Sequence, residues 1–293
     1  MIYTIENELL KVDVNSKGAQ LFSVYSKKSQ TEYLWQGNPE YWKDRAHNLF
    51  PFIGRMYEGV FTYNGKEYTS RAHGLARYFE FALESKTDDT LVFLLKDNEE
   101  THKEYPFAFE YRVTFILKGA DLTTHYEVLN TDTQTLICAF GGHPGINIPF
   151  GKGVFEDYYL EFPQVSTPTR QLLDETNSFM ADKTVPFALV DGTKIPLRHE
   201  LFVNDAVILE DTCGEVAIKC AQESRYVSMK YSDFKFIGFW QAPKPDTPYV
   251  CLEPWSALPA IDGAIVELET KPHMTRVGVN EKAEISFTLT IHE

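Results

Sequence analysis

Apolar and polar side chains alternate with a period of two along most of the chain, the pattern of strands that bury one face. The clearest case is Tyr111, Val113, Phe115 and Leu117, followed by the turn Lys118-Gly119-Ala120-Asp121 and then Leu122, Thr124, Tyr126 and Val128, which predicts a hairpin. Val60–Tyr63 closes on an Asn64-Gly65 turn, a strong hairpin signal because both residues tolerate positive φ. Further strands are predicted over Leu91–Leu95, Glu215–Cys220, Tyr226–Tyr231, Phe236–Trp240 and Ile285–Ile291. Helical spacing is confined to short pieces, the best of them Pro39–Asn48, where Tyr41, Trp42 and His47 sit among charged residues. Nothing alternates strand with helix, so a doubly wound parallel sheet is disfavoured. The expected architecture is all-β, a large antiparallel sandwich with its site on loops at an open face.

Composition narrows this further. The 293 residues contain no Pro/Ser-rich linker, and 43% hydrophobic with 14% aromatic content supports one large core, read here as a single domain over 1–293. A formal net charge of −14 without a Lys/Arg cluster disfavours nucleic acid as a partner. The amino terminus is acidic where a signal peptide is basic, and no uncharged span has membrane length, so a cytoplasmic protein without a membrane partner is expected. Cys138, Cys213, Cys220 and Cys251 form no CxxC or zinc spacing and are read as buried free thiols.

Candidate chemistry starts at Gly141-Gly142-His143-Pro144-Gly145-Ile146-Asn147, which sets one imidazole on what reads as a Gly- and Pro-bracketed turn where a ligand can come close. Val250-Cys251-Leu252-Glu253-Pro254-Trp255 places a lone carboxylate among apolar residues, where desolvation raises its pKa and makes it a proton acceptor. Each has a bland alternative: His143 bonded to backbone, Glu253 paired with an arginine. Trp240 and Trp255 are core residues by default, although an aromatic face also stacks on a sugar. Arg55 follows the apolar run Leu49–Ile53, read as a buried strand, and Ala72-His73-Gly74-Leu75-Ala76-Arg77 supplies a second His and Arg. Asp205, in Leu201–Ala206, reads locally as a turn residue. The remaining histidines, His47, His102, His125, His199, His273 and His292, form no HxH or HExxH pattern, so no metal site is predicted. Phosphate loops and nucleophile elbows are absent, which leaves nucleotide cofactors and serine hydrolase chemistry without support.

The ordered motifs FPFIGRM, AHGLAR, FGGHPGIN, LFVNDA, GFWQAP and CLEPWSALP, spread over most of the chain, resemble the aldose 1-epimerase (galactose mutarotase) family, in particular its LacX-like branch. That resemblance implies the large antiparallel β supersandwich of galactose mutarotase-like proteins, and a small sugar as substrate with no cofactor. It also implies His143 as general acid, Glu253 as general base, and Arg55, His73 and Asp205 as sugar-binding groups, with Trp240 as a wall. Where galactose mutarotases carry Tyr-Phe-Asn near the catalytic His, this chain has Pro144-Gly145-Ile146-Asn147, which leaves the sugar preference open.

Anomer exchange needs one base for the anomeric hydroxyl and one acid for the ring oxygen, with the roles reversed on closure. The nearest rival is a hexose-6-phosphate 1-epimerase with Arg45 and Arg77 as a phosphate nest. A non-catalytic sugar-binding module is a further rival, against which the matched acid and base argue. A glycoside hydrolase needs a second placed carboxylate.

Overall fold

The computed structural model describes all 293 residues, and their regular structure is almost wholly antiparallel β. A nine-stranded sheet runs in the order Lys194–Pro196, Tyr158–Glu161, Glu215–Cys220, Glu223–Lys230, Lys282–His292, Asp121–Asn130, Phe109–Lys118, Thr90–Lys96, Ala82–Lys86. An eight-stranded sheet contains Met180–Pro186, Thr169–Leu173, Val207–Glu210, Phe236–Trp240, Tyr249–Trp255, Gly141–Gly142 and Asn48–Leu49 in that order, with Gly145–Asn147 also paired to Tyr249–Trp255. The amino-terminal strands Ile2–Glu6, Leu10–Asn15, Gln20–Ser26 and Thr31–Glu32 form a separate meander that the alternation did not reveal. The expected sandwich class is therefore observed.

The predicted central hairpin forms with Phe109–Lys118 and Asp121–Asn130 in continuous register. Tyr111, Val113 and Leu117 lie opposite Val128, Tyr126 and Leu122, all buried, while the intervening residues are at least partly exposed. Fully burying one such apolar side chain is worth about 1.5–3 kcal/mol, so alternation alone fixes which face turns inward. The Asn64-Gly65 turn also forms, with φ of 51° and 70°. A core cluster of 64 buried residues joins the meander and the two large sheets.

Two local expectations fail for an identifiable reason. The segment 39–47 is turns and bends, because its carbonyls bond outside any helix: Trp42 O accepts the indole N–H of Trp35 at 2.8 Å and Arg45 O accepts Gly145 N–H at 2.9 Å. In the apolar run Leu49–Ile53 only Leu49 belongs to a strand. The rest is buried, but Phe50 O accepts the N–H groups of Leu75 and Ala76, and Pro51 O accepts that of Ala139.

Candidate active site

The strand Tyr249–Trp255 is buried at every position, so both of its faces are covered. Val250 and Leu252 point into the main core, whereas Tyr249, Cys251 and Trp255 belong to two small clusters on the opposite side. Glu253 shares the parity of the latter set. Its neighbour Phe236–Trp240 divides in the same way, with Ile237 and Phe239 inward and Trp240 outward. On the outer side, loops roof the sheet and leave a cavity of about 320 Å³ lined by Trp42, His47, Arg55, His73, Arg77, His143, Asp205, Trp240, Glu253 and Trp255 among others.

Register brings the acid/base candidates together. Gly141 pairs with Trp255 and Gly145 with Cys251, two pairings in one register, which sets His143 opposite Glu253 on the cavity face. His143 Nε2 and Glu253 Oε2 stand 3.1 Å apart. They lack hydrogen-bond alignment, and Glu253 Oε2 stays buried without a partner. The segment around His143 is an interrupted strand, and the expected turn is absent. Its glycines also serve a different purpose from the one expected, since none of the three has positive φ. A Cβ on Gly142 would lie 2.7 Å from Phe287 Cε1 and 3.2 Å from the Tyr126 hydroxyl, and one on Gly145 would lie 3.1 Å from Trp35 Cβ. These glycines let the sheet pack closely against its neighbours. Gly142→Ala is accordingly expected to destabilise the fold by about 1–3 kcal/mol, as overpacking does. A urea titration with an unmoved midpoint would refute that account.

Burial dominates the electrostatics. It raises the Glu253 carboxyl well above the ordinary range, helped by the negative charge of Asp205. It lowers His143 well below the ordinary imidazole value, helped by His73 and Arg77. Burial thus disfavours the charged form of both members of the pair. His73 is lowered to about 3, first by burial and then by Arg77 and Arg55. Its Nδ1 accepts the Gly54 N–H at 3.2 Å, so in the neutral ring Nε2 carries the proton and is a donor.

The structure gathers seven of the eight sequence-predicted residues at this cavity, Arg77 among them, and it corrects one. Arg45 lies outside the cavity: its guanidinium stacks over Phe22 at 3.8 Å and donates to Phe22 O and Gln36 Oε1. The phosphate nest of Arg45 and Arg77 therefore does not form. Arg77 reaches the cavity with its charge already opposed, through a short ion pair to Asp44 and a 3.1 Å contact to His47 Nε2. Asp205 combines both of its readings, since it holds φ at 73° in a turn and also lines the cavity.

Sequence reasoning missed Trp42 and His47. The His143 ring lies 4.8 Å from Trp42 and 4.5 Å from His47. The one available signal was a Trp and a His within a charged segment. His47, His73 and His143 bring ring nitrogens within 4.8 Å of one another, a grouping that spacing along the chain did not reveal. The Arg77 guanidinium lies 3.1 Å from His47 Nε2, and its positive charge opposes a cation there. Of nine buried side-chain polar atoms without partners, four belong to cavity residues: His47 Nδ1, His143 Nδ1, Glu253 Oε2 and Trp255 Nε1. Such a concentration marks a site that stores polar capacity for a ligand.

Comparison with known proteins finds relatives of the same fold along the whole chain. The sequence model of the family described as aldose 1-epimerase matches residues 1–259. The plasmid-encoded protein LacX of Lactococcus lactis subsp. lactis is 33% identical over 99% of each chain. A galactose mutarotase related enzyme from Lactobacillus acidophilus superposes with a TM-score of 0.94 at 36% identity, covering 100% of this chain and 98% of that one. A galactose mutarotase-like protein from Lactobacillus casei gives 0.93 at 26% identity over the full length of both.

Proposed function

Because this chain belongs to the aldose 1-epimerase family, we propose that it is an isomerase that interconverts the α and β anomers of a free aldose through His143 and Glu253. The observation that carries the reading is the buried pair itself, an imidazole and a carboxyl 3.1 Å apart on the floor of a cavity large enough for one small ligand.

Ring opening proceeds from the imidazolium–carboxylate form of the pair. Glu253 takes the proton of the anomeric hydroxyl, the C1–O5 bond breaks, and O5 takes the proton of His143. This leaves an aldehyde, a neutral imidazole and a carboxylic acid, which is the protonation state that burial favours. After the carbonyl turns, Glu253 returns its proton to the aldehyde oxygen while His143 recovers the one on O5, and the ring closes on the other face. Protons balance at every stage without a cofactor. The Nε2–H of His73 and the guanidinium of Arg55 donate to sugar oxygens, and Asp205 accepts from hydroxyls. Trp42 and Trp240, 5.5 Å apart and edge to face, form the apolar wall for the sugar's C–H surface.

A neutral substrate follows from the local charge balance. Arg77 is paired with Asp44, Arg55 shares the cavity with Asp205, and the chain carries a net charge of −14. Anomer exchange of galactose and glucose, measured by NMR or polarimetry against the uncatalysed rate, tests the activity. The free sugars are expected to show higher kcat/KM than glucose 6-phosphate, with little change between low and high salt, and Arg45→Ala is expected to leave both values unchanged. A salt-sensitive preference for the phosphate would instead favour the hexose-6-phosphate 1-epimerase. No helix is long and apolar enough to cross a membrane, and all four cysteines are free, which supports the reducing cytoplasm as the location.

A further inference from the structure

The cross-strand row that holds Glu253 and His143 extends one segment further. Gly141 pairs with Leu49 and Gly142 with Asn48, and the same register carried on by one residue sets His47 opposite His143. Because Gly141 also pairs with Trp255, Glu253, His143 and His47 stand side by side on three adjacent segments. Parity gives them one face. Leu49 belongs to a cluster on the cavity side, Asn48 turns the other way and accepts the Tyr126 hydroxyl at 2.8 Å, and His47 returns to the cavity.

Arg77 sets the tautomer of this third ring. Its guanidinium, itself paired with Asp44, lies 3.1 Å from His47 Nε2, and a guanidinium only donates. Nε2 is therefore the acceptor, and in the neutral ring the proton sits on Nδ1. Burial, and after it repulsion from His143, Arg77 and His73, lowers His47 well below the ordinary imidazole value and so favours the neutral ring. Nδ1 is buried without a partner in the protein, so its acceptor has to come from whatever occupies the cavity.

Three imidazoles converge on that occupant. His47, His73 and His143 all line the cavity and bring ring nitrogens within 4.8 Å of one another; an oxygen atom at the centre of such a triangle stands no more than about 2.8 Å from each corner, an ordinary hydrogen-bond distance. His47 and His73 each bring an N–H. His143 brings a proton before ring opening and a lone pair after it. A sugar ring oxygen has two lone pairs and no hydrogen, so it satisfies only two of three donors. The O5 hydroxyl of the open chain accepts from His47 and His73 while donating back to His143, and it satisfies all three. The cage thus fits the open chain better than the ring, which is the differential binding that lowers the barrier to opening.

We propose that His47 is a catalytic residue whose Nδ1–H binds O5 as the ring opens, completing with His73 and His143 a site for the open-chain hydroxyl. The inference rests on the epimerase reading for the identity of that oxygen, but its binding arm needs no turnover. Sorbitol and galactitol carry the C5 hydroxyl and cannot close, whereas 1,5-anhydroglucitol and 1,5-anhydrogalactitol keep the ring oxygen. Quenching of Trp42, Trp240 and Trp255, which line the cavity, reports binding of each. His47→Phe keeps a ring in the row but removes the N–H. It is expected to weaken the better-bound alditol about tenfold, to leave its anhydro counterpart within about twofold, and to lower kcat about tenfold at a nearly unchanged KM. His47→Asn, which returns an N–H near the place of Nδ1, is expected to recover most of both losses. Nitrogen-resolved imidazole NMR of the wild-type protein should show His47 neutral at pH 7 with its proton on Nδ1, and that proton's resonance should move when the alditol is added; this arm decides the matter if His47→Phe fails to fold. A proton on Nε2 of His47, no alditol binding to the wild-type protein, or an alditol affinity that His47→Phe leaves unchanged or lowers equally with that of the anhydro sugar, would overturn the proposal. Failure of the epimerase reading looks different: the loss of alditol binding in His47→Phe persists, and the wild-type protein catalyses no anomer exchange.

Discussion

Glu253→Gln is expected to lower catalysed anomer interconversion by at least about a hundredfold while sugar binding stays near the wild-type level. The scale is that of removing a general acid/base group. Gln preserves the side chain's shape on a strand buried on both faces, but an amide can neither take the anomeric proton nor return it. Folding should not suffer, since burial raises the carboxyl well above its ordinary range and favours the uncharged form that Gln mimics. Exchange rates by NMR, with tryptophan fluorescence for binding, check both halves. A folded variant that binds sugar and turns over at the wild-type rate would remove Glu253 from the chemistry.

The second large effect concerns His143 and the shape of the pH profile. From sequence alone, activity is expected to fall at high pH as His143 loses its proton and at low pH as Glu253 gains one. The structure exchanges the two assignments. With His143 lowered and Glu253 raised, burial favours a free pair that holds one proton between them over the range that separates its two titrations. The reactive imidazolium–carboxylate form has that same proton count, so its fraction is independent of pH inside the range. Below it a second proton enters, on His143; above it the remaining proton leaves, from Glu253. The profile is thus a broad plateau whose acid limb belongs to His143 and whose alkaline limb belongs to Glu253, both being macroscopic values of the pair. His143→Asn is expected to lose activity by about a hundredfold or more and to lose the acid limb of whatever remains. Imidazole NMR shifts of the free protein should show His143 neutral at pH 7. An imidazolium signal there, or an acid limb that survives in His143→Asn, would contradict the exchange.

The class of the fold was legible because alternation is a local property. Tyr111 to Leu117 and Leu122 to Val128 state their inward face residue by residue, and the Asn64-Gly65 turn states its hairpin in two. The amino-terminal meander was not read, although Leu10, Val12 and Val14 alternate strictly with Lys11, Asp13 and Asn15; the strands on either side of them mix half-buried and buried positions with a weaker alternation. Bonding outside the segment overrode the local signal in 39–47, where the Trp42 carbonyl is claimed by the Trp35 side chain and the Arg45 carbonyl by Gly145, which is distant in sequence.

The site divides along the same line. His143 and Glu253 announce themselves because their neighbours are unusual: glycines around one, apolar residues around the other. Their juxtaposition does not. It depends on Gly141 meeting Trp255 and Gly145 meeting Cys251, a register between segments a hundred residues apart. Arg45 and Arg77 look alike as charges in a sequence, yet Arg45 is turned onto Phe22 while Arg77 enters the cavity already paired with Asp44. His47 carries only a weak local mark, a His with a Trp in a charged segment; the loop that lays it 4.5 Å from His143 makes it part of the site. The sequence by itself determined the residue types, the faces of the strands and the kind of chemistry available, since these follow from side-chain polarity at short range. Tertiary structure alone decided which groups meet, which charges are already neutralised and in which direction each member of the pair is shifted, because pairing, burial and electric field are set by residues far apart in the chain.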